Sequence, residues 1–158
     1  VDALLKPTAA RLAARQANRH RQQAFDEIHV THPTAAFWWK DENSMFLGAC
    51  QRLGPMGGLP DSIDLLGITD SDERLAWARQ ASLYRRDDRE VLQRYQAKLN
   101  IVERQDRDTG VVWLRTSKVP YRNAAGQLGT VGGFDQITEA KAKELATTAA
   151  TVFKPRFG

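Results

Sequence analysis

Residues 99–134, LNIVERQDRDTGVVWLRTSKVPYRNAAGQLGTVGGF, decide how this chain folds. Leu99, Ile101 and Glu103 alternate with Asn100, Val102 and Arg104. Val111 to Tyr121 is rich in β-branched and aromatic residues, and Leu128 to Phe134 is a third run of the same kind. Asp106-Arg107-Asp108-Thr109-Gly110 and Asn123-Ala124-Ala125-Gly126 separate the three runs, and both carry turn chemistry. A period of two broken by two such turns predicts three strands in succession.

Upstream, the aromatic run Ala35 to Asp41, the turn-forming Asp41-Glu42-Asn43-Ser44 and the apolar run Met45 to Cys50 predict a β-hairpin. Gly54 to Pro60 reads as a loop, and Ser62 to Leu66 has room for about one helical turn before Gly67. Asp70, with Glu73 three residues on, resembles a capping box opening a helical stretch. Trp77, Ala81, Tyr84, Val91 and Tyr95 form its stripe, which Asp88 shares. The Asp87-Asp88 pair is expected to cap a second, shorter helix, with a break near residues 85–88.

The ends read as helices. Leu5, Leu12, Ala13, Ala17, Ala24, Phe25 and Ile28 recur at helical spacing from residue 2 to about 28, and His29, Thr31, His32 and Pro33 stop the pattern. Thr138 is placed to cap a closing helix that runs to about Thr151, with Glu139 in its first turn. The order is helix, two strands, short helices, three strands, helix. It predicts an α+β fold with a five-stranded antiparallel sheet.

The whole chain has 158 residues, 42% hydrophobic and 27% charged, enough to bury a core without a disulfide or metal staple. Cys50, the single cysteine, excludes an internal disulfide and a cysteine-rich zinc site, and it suits a reducing compartment. The longest wholly apolar run, Ala35 to Trp39, is far below the roughly 20 residues that span a bilayer. A cytoplasmic chain without a secretory signal is therefore expected. Its start at Val1 and its abrupt cationic end suit a module excised from something longer.

The formal net charge of +4 is unevenly spread. Residues 74–98 hold seven cations against three anions, and Arg11, Arg15, Arg19 and Arg21 form a second excess. Neither group is joined to an aromatic stacking platform or a helix-turn-helix pattern, so both read as solvated helix faces and a nucleic-acid partner is not expected.

In order and spacing, Phe37-Trp38-Trp39-Lys40-Asp41, Leu47 to Gln51, Leu66-Gly67-Ile68-Thr69-Asp70, Trp77, Tyr84 to Val91, Trp113 to Pro120, Gly126 with Gly129, and Asp135 to Lys141 resemble the PAS (Per-ARNT-Sim) sensor domains. The resemblance covers about residues 34–145. Three departures stand out. The Asp-Ile-Thr that usually ends the family's sheet is Gln136-Ile137-Thr138 here, with Asp135 one residue early. Gln51 replaces a frequent asparagine. Tyr95-Gln96-Ala97-Lys98 lacks the glycine often seen after the helix.

The resemblance implies a PAS-like sheet with short helices on one face, divided as a flanking helix at 1–33, a sensor domain at 34–137, and an exit helix and tail at 138–158. It also implies a small molecule or partner held between sheet and helices. The pocket is expected to draw on Trp38, Leu47, Trp113, Arg115, Ser117 and Val131 of the sheet and Leu75, Trp77, Tyr84 and Val91 of the helices. Arg115 and Ser117 are expected inside with Thr116 on the opposite face, while Arg115 and Lys118, if buried, need a carboxylate or an anionic ligand, the bland alternatives being an ion pair with Asp87 or Asp88 or simple exposure. Asp135, Gln136 and Thr138 are expected to couple the sheet to the exit helix.

No cofactor is identified. His20, His29 and His32 all precede the first strand, which argues against haem held by an internal histidine. Cys50 lies in the second strand, outside the Asn-Cys-Arg-Phe-Leu-Gln segment of photoactive flavin domains, which this chain lacks, and it reads as a small buried hydrophobe. No spacing suits a metal, and no nucleophile elbow or phosphate loop points to catalysis. The expected function is thus a non-enzymatic sensory input module of a bacterial signalling protein, a diguanylate cyclase or a histidine kinase. It would dimerise through its terminal helices. The alternative is a basic-surface nucleic-acid or protein-interaction module without a small ligand.

Overall fold

The computed structural model describes residues 32–149 and, apart from them, Ala9. The expected N-terminal helix, with its apolar stripe and with His20 and His29, lies outside the described residues, as does the tail from residue 150.

Strands β1 (Ala36–Asp41), β2 (Phe46–Ala49), β3 (Lys98–Arg107), β4 (Gly110–Arg122) and β5 (Leu128–Ile137) form one antiparallel sheet in the order β2-β1-β5-β4-β3. Each predicted turn closes as its residues dictate. Asp41 Oδ1 accepts from the backbone N–H of Asn43 and Met45 at 2.9 and 3.0 Å. Asn123 Oδ1 accepts from Ala125 and Gln127, and Gly126 takes a φ of 79° that suits a residue without Cβ.

Between β2 and β3 run the short helix α1 (Leu53–Met56), two 3-10 turns at Ser62–Leu65 and Ala78–Gln80, and helix α2 (Ala81–Arg94). Two expectations are corrected here. Asp70 caps no helix, because its carboxylate is buried and bonded to Lys40 and Trp77. Nor does α2 break at 85–88. Asp87 and Asp88 face inward in mid-helix and find lysine partners, so the helix runs on to Arg94. Tyr95 supplies the missing glycine's conformation itself, with φ 45° and ψ 50°, and Tyr95 and Gln96 donate to the carbonyls of Leu92 and Val91. Because the two aspartates turn in, the outer side of α2 exposes Arg86, Arg89 and Arg94.

Helix α3 (Glu139–Ala149) follows β5 directly. Thr138 caps it through Oγ1, which accepts from Lys141 N at 3.0 Å, and Ala142 and Ala146 are buried beside β3 and β4. The main core gathers Ala36, Trp38, Phe46, Leu65, Trp77, Tyr84, Leu114 and Phe134 between the inner sheet face and the helices, with Cys50 fully buried among them. Among the described residues no helix is long and apolar enough to cross a membrane.

Candidate functional site

Alternation along the strands decides which side chains enter the space between sheet and helices. On β1 the even residues Ala36, Trp38 and Lys40 point in, and they pair with Phe134, Gly132 and Thr130 of β5. On β4 the inward set is Leu114, Thr116 and Lys118, and on β3 Glu103 and Gln105 face the same interior.

This corrects five of the expected pocket positions. Trp113, Arg115, Ser117 and Val131 lie on the opposite parity, with Arg115 exposed and Val131 40% exposed. Leu47 is 46% exposed and sits opposite in parity to Phe46, which is buried. A one-residue choice of face moves every side chain of a strand across the sheet. Trp38, Trp77 and Tyr84 do line the interior cavity, whereas Leu75 and Val91 are buried without lining it. Of the coupling residues, Asp135 Oδ1 accepts from Thr34 Oγ1 at 2.7 Å, Gln136 is exposed opposite Leu114, and Thr138 caps α3.

The interior holds charges. Asp88, on α2, accepts from Lys40 of β1 at 3.0 Å through Oδ2 and from Lys118 of β4 at 2.6 Å through Oδ1. Lys40 also reaches Asp70 Oδ2 at 2.5 Å, and Asp70 Oδ1 accepts from Trp77 Nε1 at 3.1 Å. Lys118 completes its set on the Tyr84 carbonyl at 3.0 Å. Both lysines and Asp88 are at most 2% exposed. The cluster therefore ties α2 and the turn at Asp70 to two strands that are separated by β5. Nearer solvent, Lys98 bridges Asp87 and Glu90 at 2.6 and 2.7 Å. The need of Lys118 for a carboxylate is thus met by Asp88.

The mutual charges outweigh the cost of burial. Burial works against the Lys40 ammonium, yet Asp70 and Asp88 together push its pKa above the usual lysine range. Burial likewise favours the neutral form of Asp88, and Lys40 and Lys118 overcome it, holding the carboxyl well below the usual carboxylate range. Burial pushes the Tyr84 phenol far up, so it stays a neutral donor to Gln80 Oε1 and the Arg104 carbonyl.

Glu103 is the exception. Among the described residues it accepts one hydrogen bond, from Thr116 Oγ1 at 2.6 Å, and burial raises its pKa to about 6. Between the ordinary 4.5 and about 6 the unfolded chain releases a proton that the folded protein keeps. Stability therefore falls as pH rises through that window and levels off above it. Glu103→Gln keeps an acceptor for Thr116 and removes the ionisation, so it is expected to stabilise the protein by about 2 kcal/mol at pH 8 and to change little at pH 4. Urea unfolding at the two pH values reads the difference.

Trp38 completes the wall. Its indole lies over Gly132, where a Cβ would come within 2.5 Å of Cζ2, and its buried Nε1 has no acceptor among the described residues. Gly132→Ala is expected to cost about 1–3 kcal/mol and to displace the indole, which thermal melts and tryptophan emission would record. Trp38, Phe46, Trp77, Phe134 and Tyr84 enclose, with Lys40, Asp70, Lys118, Glu103, Gln105 and Leu53, a cavity of about 30 Å³. That is room for about two waters. Among the described residues no group of His, Cys, Asp and Glu is arranged to hold a metal ion.

No family model and no curated protein matches the chain. Solved structures do. The Vibrio cholerae VqmA dimer, determined in the absence of its target DNA, superposes with a TM-score of 0.62 at 24% identity, over 73% of this chain and 52% of that one. The blue-light photoreceptor Aureochrome1 LOV matches 94% of this chain and 97% of its own at a TM-score of 0.55 and 15% identity. A sensory box histidine kinase of Vibrio cholerae matches 78% and 98%, at 0.52 and 8%. The fold is that of the PAS sensor domains. At these identities the likeness is one of PAS architecture, and the chain spans about half of the VqmA chain it matches.

The lysine–aspartate cluster sits inside that PAS fold, between the inner sheet face and α2. Neither Lys40 nor Asp70 is among the pocket residues expected from the sequence. A lysine directly after three aromatics, Phe37 to Trp39, in a strand otherwise built for burial was the available signal.

Proposed function

We propose that this chain is a sensory input module that holds a small ligand in the cavity beneath Trp38 and passes the change to its flanking segments, without a catalytic step of its own. The observation that carries this reading is the cavity, where polar groups stand inside an aromatic wall at the centre of a PAS fold. The PAS neighbours include sensory proteins, and one VqmA structure is bound to DPO. Residues 34–137 form the sensor in this reading, with 1–33 and 138–158 as arms. The exit route runs from β5 through Asp135 and Gln136 to the Thr138 cap of α3.

The output is a second domain of a cytoplasmic bacterial signalling protein, a diguanylate cyclase or a histidine kinase, and two copies pair through the terminal arms. Native mass spectrometry of freshly purified protein tests both halves: a dimer carrying extra mass that leaves on denaturation is expected. A monomer by light scattering at tens of micromolar, unchanged when residues 1–33 are deleted, would overturn the pairing. Failure of any small molecule to shift the melting temperature would overturn the ligand role.

A further inference from the structure

A larger hollow lies outside the interior cavity. Between α1 and the β3–β4 turn runs a groove of about 520 Å³, open to solvent, with Arg52, Pro55 and Met56 on one bank and Arg107, Asp108 and Thr109 on the other. Its volume falls in the range of small-molecule sites, which the interior cavity of about 30 Å³ does not reach.

Arg107 is short of a counter-charge. Its Nε donates to Gln105 Oε1 at 2.9 Å, and its guanidinium carbon stands 5.7 Å from the centroid of the Phe134 ring. The covered Nη2 has no acceptor among the described residues. Burial lowers the Arg107 pKa from the usual arginine value, and the group that acts against burial is Tyr84 rather than a carboxylate. Asp108, next in the chain, is turned towards Gly58, where a Cβ would come within 2.5 Å of its Oδ2. Across the groove, Arg52 donates Nη1 to the Pro33 carbonyl, a neutral partner. Arg52 and Arg107 against Asp108 leave the lining with an excess of one positive charge. One negative charge balances it, and a second would meet Asp108 with no cation of its own. Pro55 and Met56 give the rest of a ligand an apolar wall.

We propose that this groove is a ligand site separate from the cavity beneath Trp38, and that it takes small monoanions with an apolar body, the anionic group drawn to Arg107 and the body laid on Pro55 and Met56. Asp108 disfavours dianions. The site is also placed to be felt inside. Gln105 and Phe134, which hold the Arg107 guanidinium, both line the interior cavity, and the Phe134 ring lies 5.6 Å from that of Trp38. A ligand that draws the guanidinium towards the groove disturbs that wall.

Pentanoate, pentanamide, acetate and glutarate at pH 7 separate the contributions of charge, chain and second charge. Added to the full chain and followed by the arginine Nε–Hε and tryptophan indole resonances in ¹H–¹⁵N spectra, pentanoate is expected to saturate on the order of millimolar and to shift the Arg107 and Trp38 signals together. Pentanamide has the shape without the charge and acetate the charge without the chain, so each should bind roughly tenfold more weakly. Glutarate should bind roughly fivefold more weakly than pentanoate, and Asp108→Asn should close that gap. Arg107→Gln should weaken pentanoate by about tenfold. Because the probe series is run on the unaltered protein, it decides the matter even if a variant fails to fold. Pentanamide binding as tightly as pentanoate, or pentanoate binding unchanged in a folded Arg107→Gln, overturns the proposal. Glutarate binding more tightly than pentanoate overturns the restriction to monoanions. Absence of saturation by pentanoate overturns the groove as an anion site and leaves the reading of the interior cavity standing.

Discussion

Asp88→Asn is expected to lower the unfolding free energy by about 3–5 kcal/mol at neutral pH, measured by urea denaturation. Asp88 is the carboxylate shared by Lys40 and Lys118, and all three are at most 2% exposed. With asparagine in place, Lys40 keeps Asp70, but among the described residues Lys118 keeps only the Tyr84 carbonyl as a hydrogen-bond partner and loses its one direct ion pair, leaving the Glu103 carboxylate to act on it from farther away. Leaving a buried charge uncompensated costs more than the intact pair contributes. The double variant Asp88→Leu with Lys118→Met removes the carboxylate together with the cation it would strand. It should therefore be more stable than Asp88→Leu alone by more than about 1 kcal/mol. Since the Asp88 pKa is depressed in the folded state, its stabilisation is present above the ordinary carboxylate range and is lost as pH falls through the depressed value. The gap between Asp88→Asn and the wild type should accordingly narrow in strong acid. A loss below about 1 kcal/mol at neutral pH would mean that the two lysines do not depend on Asp88.

Trp77→Ala is the second large effect, at about 3–5 kcal/mol. The side chain is 1% exposed, and its ring edge lies where a Cβ on Gly57 would come within 2.8 Å, so it fills the space between α1 and the turn at Asp70. Its indole N–H also donates to Asp70 Oδ1, the carboxylate that holds Lys40. Trp77→Phe keeps most of the packing and removes that donor, so about 1–3 kcal/mol is expected. Combined with Asp88→Asn it should depart from additivity, because both changes then fall on Lys40. Additive losses would show that the indole acts by volume alone.

Much of the fold was legible in the residues. The alternation from Leu99 to Phe134, the turns ending at Gly110 and Gly126, the hairpin from Ala35 to Cys50 and the Thr138 cap all rest on interactions a few residues apart. Turn and cap signals failed where the same residue types serve distant partners. Asp70, Asp87 and Asp88 have the chemistry of caps, yet they bond to Lys40, Lys98 and Lys118, at separations of 30, 11 and 30 residues.

Local pattern therefore determined the order of elements and the existence of five antiparallel strands, because strand period and turn geometry are properties of neighbouring residues. The inward face of β4 was decided only by tertiary structure. Both parities of Val111 to Tyr121 mix apolar and polar residues, since Trp113, Arg115 and Ser117 alternate with Leu114, Thr116 and Lys118. Alternation alone cannot rank two such faces. What separates them is a carboxylate on a helix far away in sequence, Asp88, which can neutralise a buried Lys118 and so sends Arg115 outward.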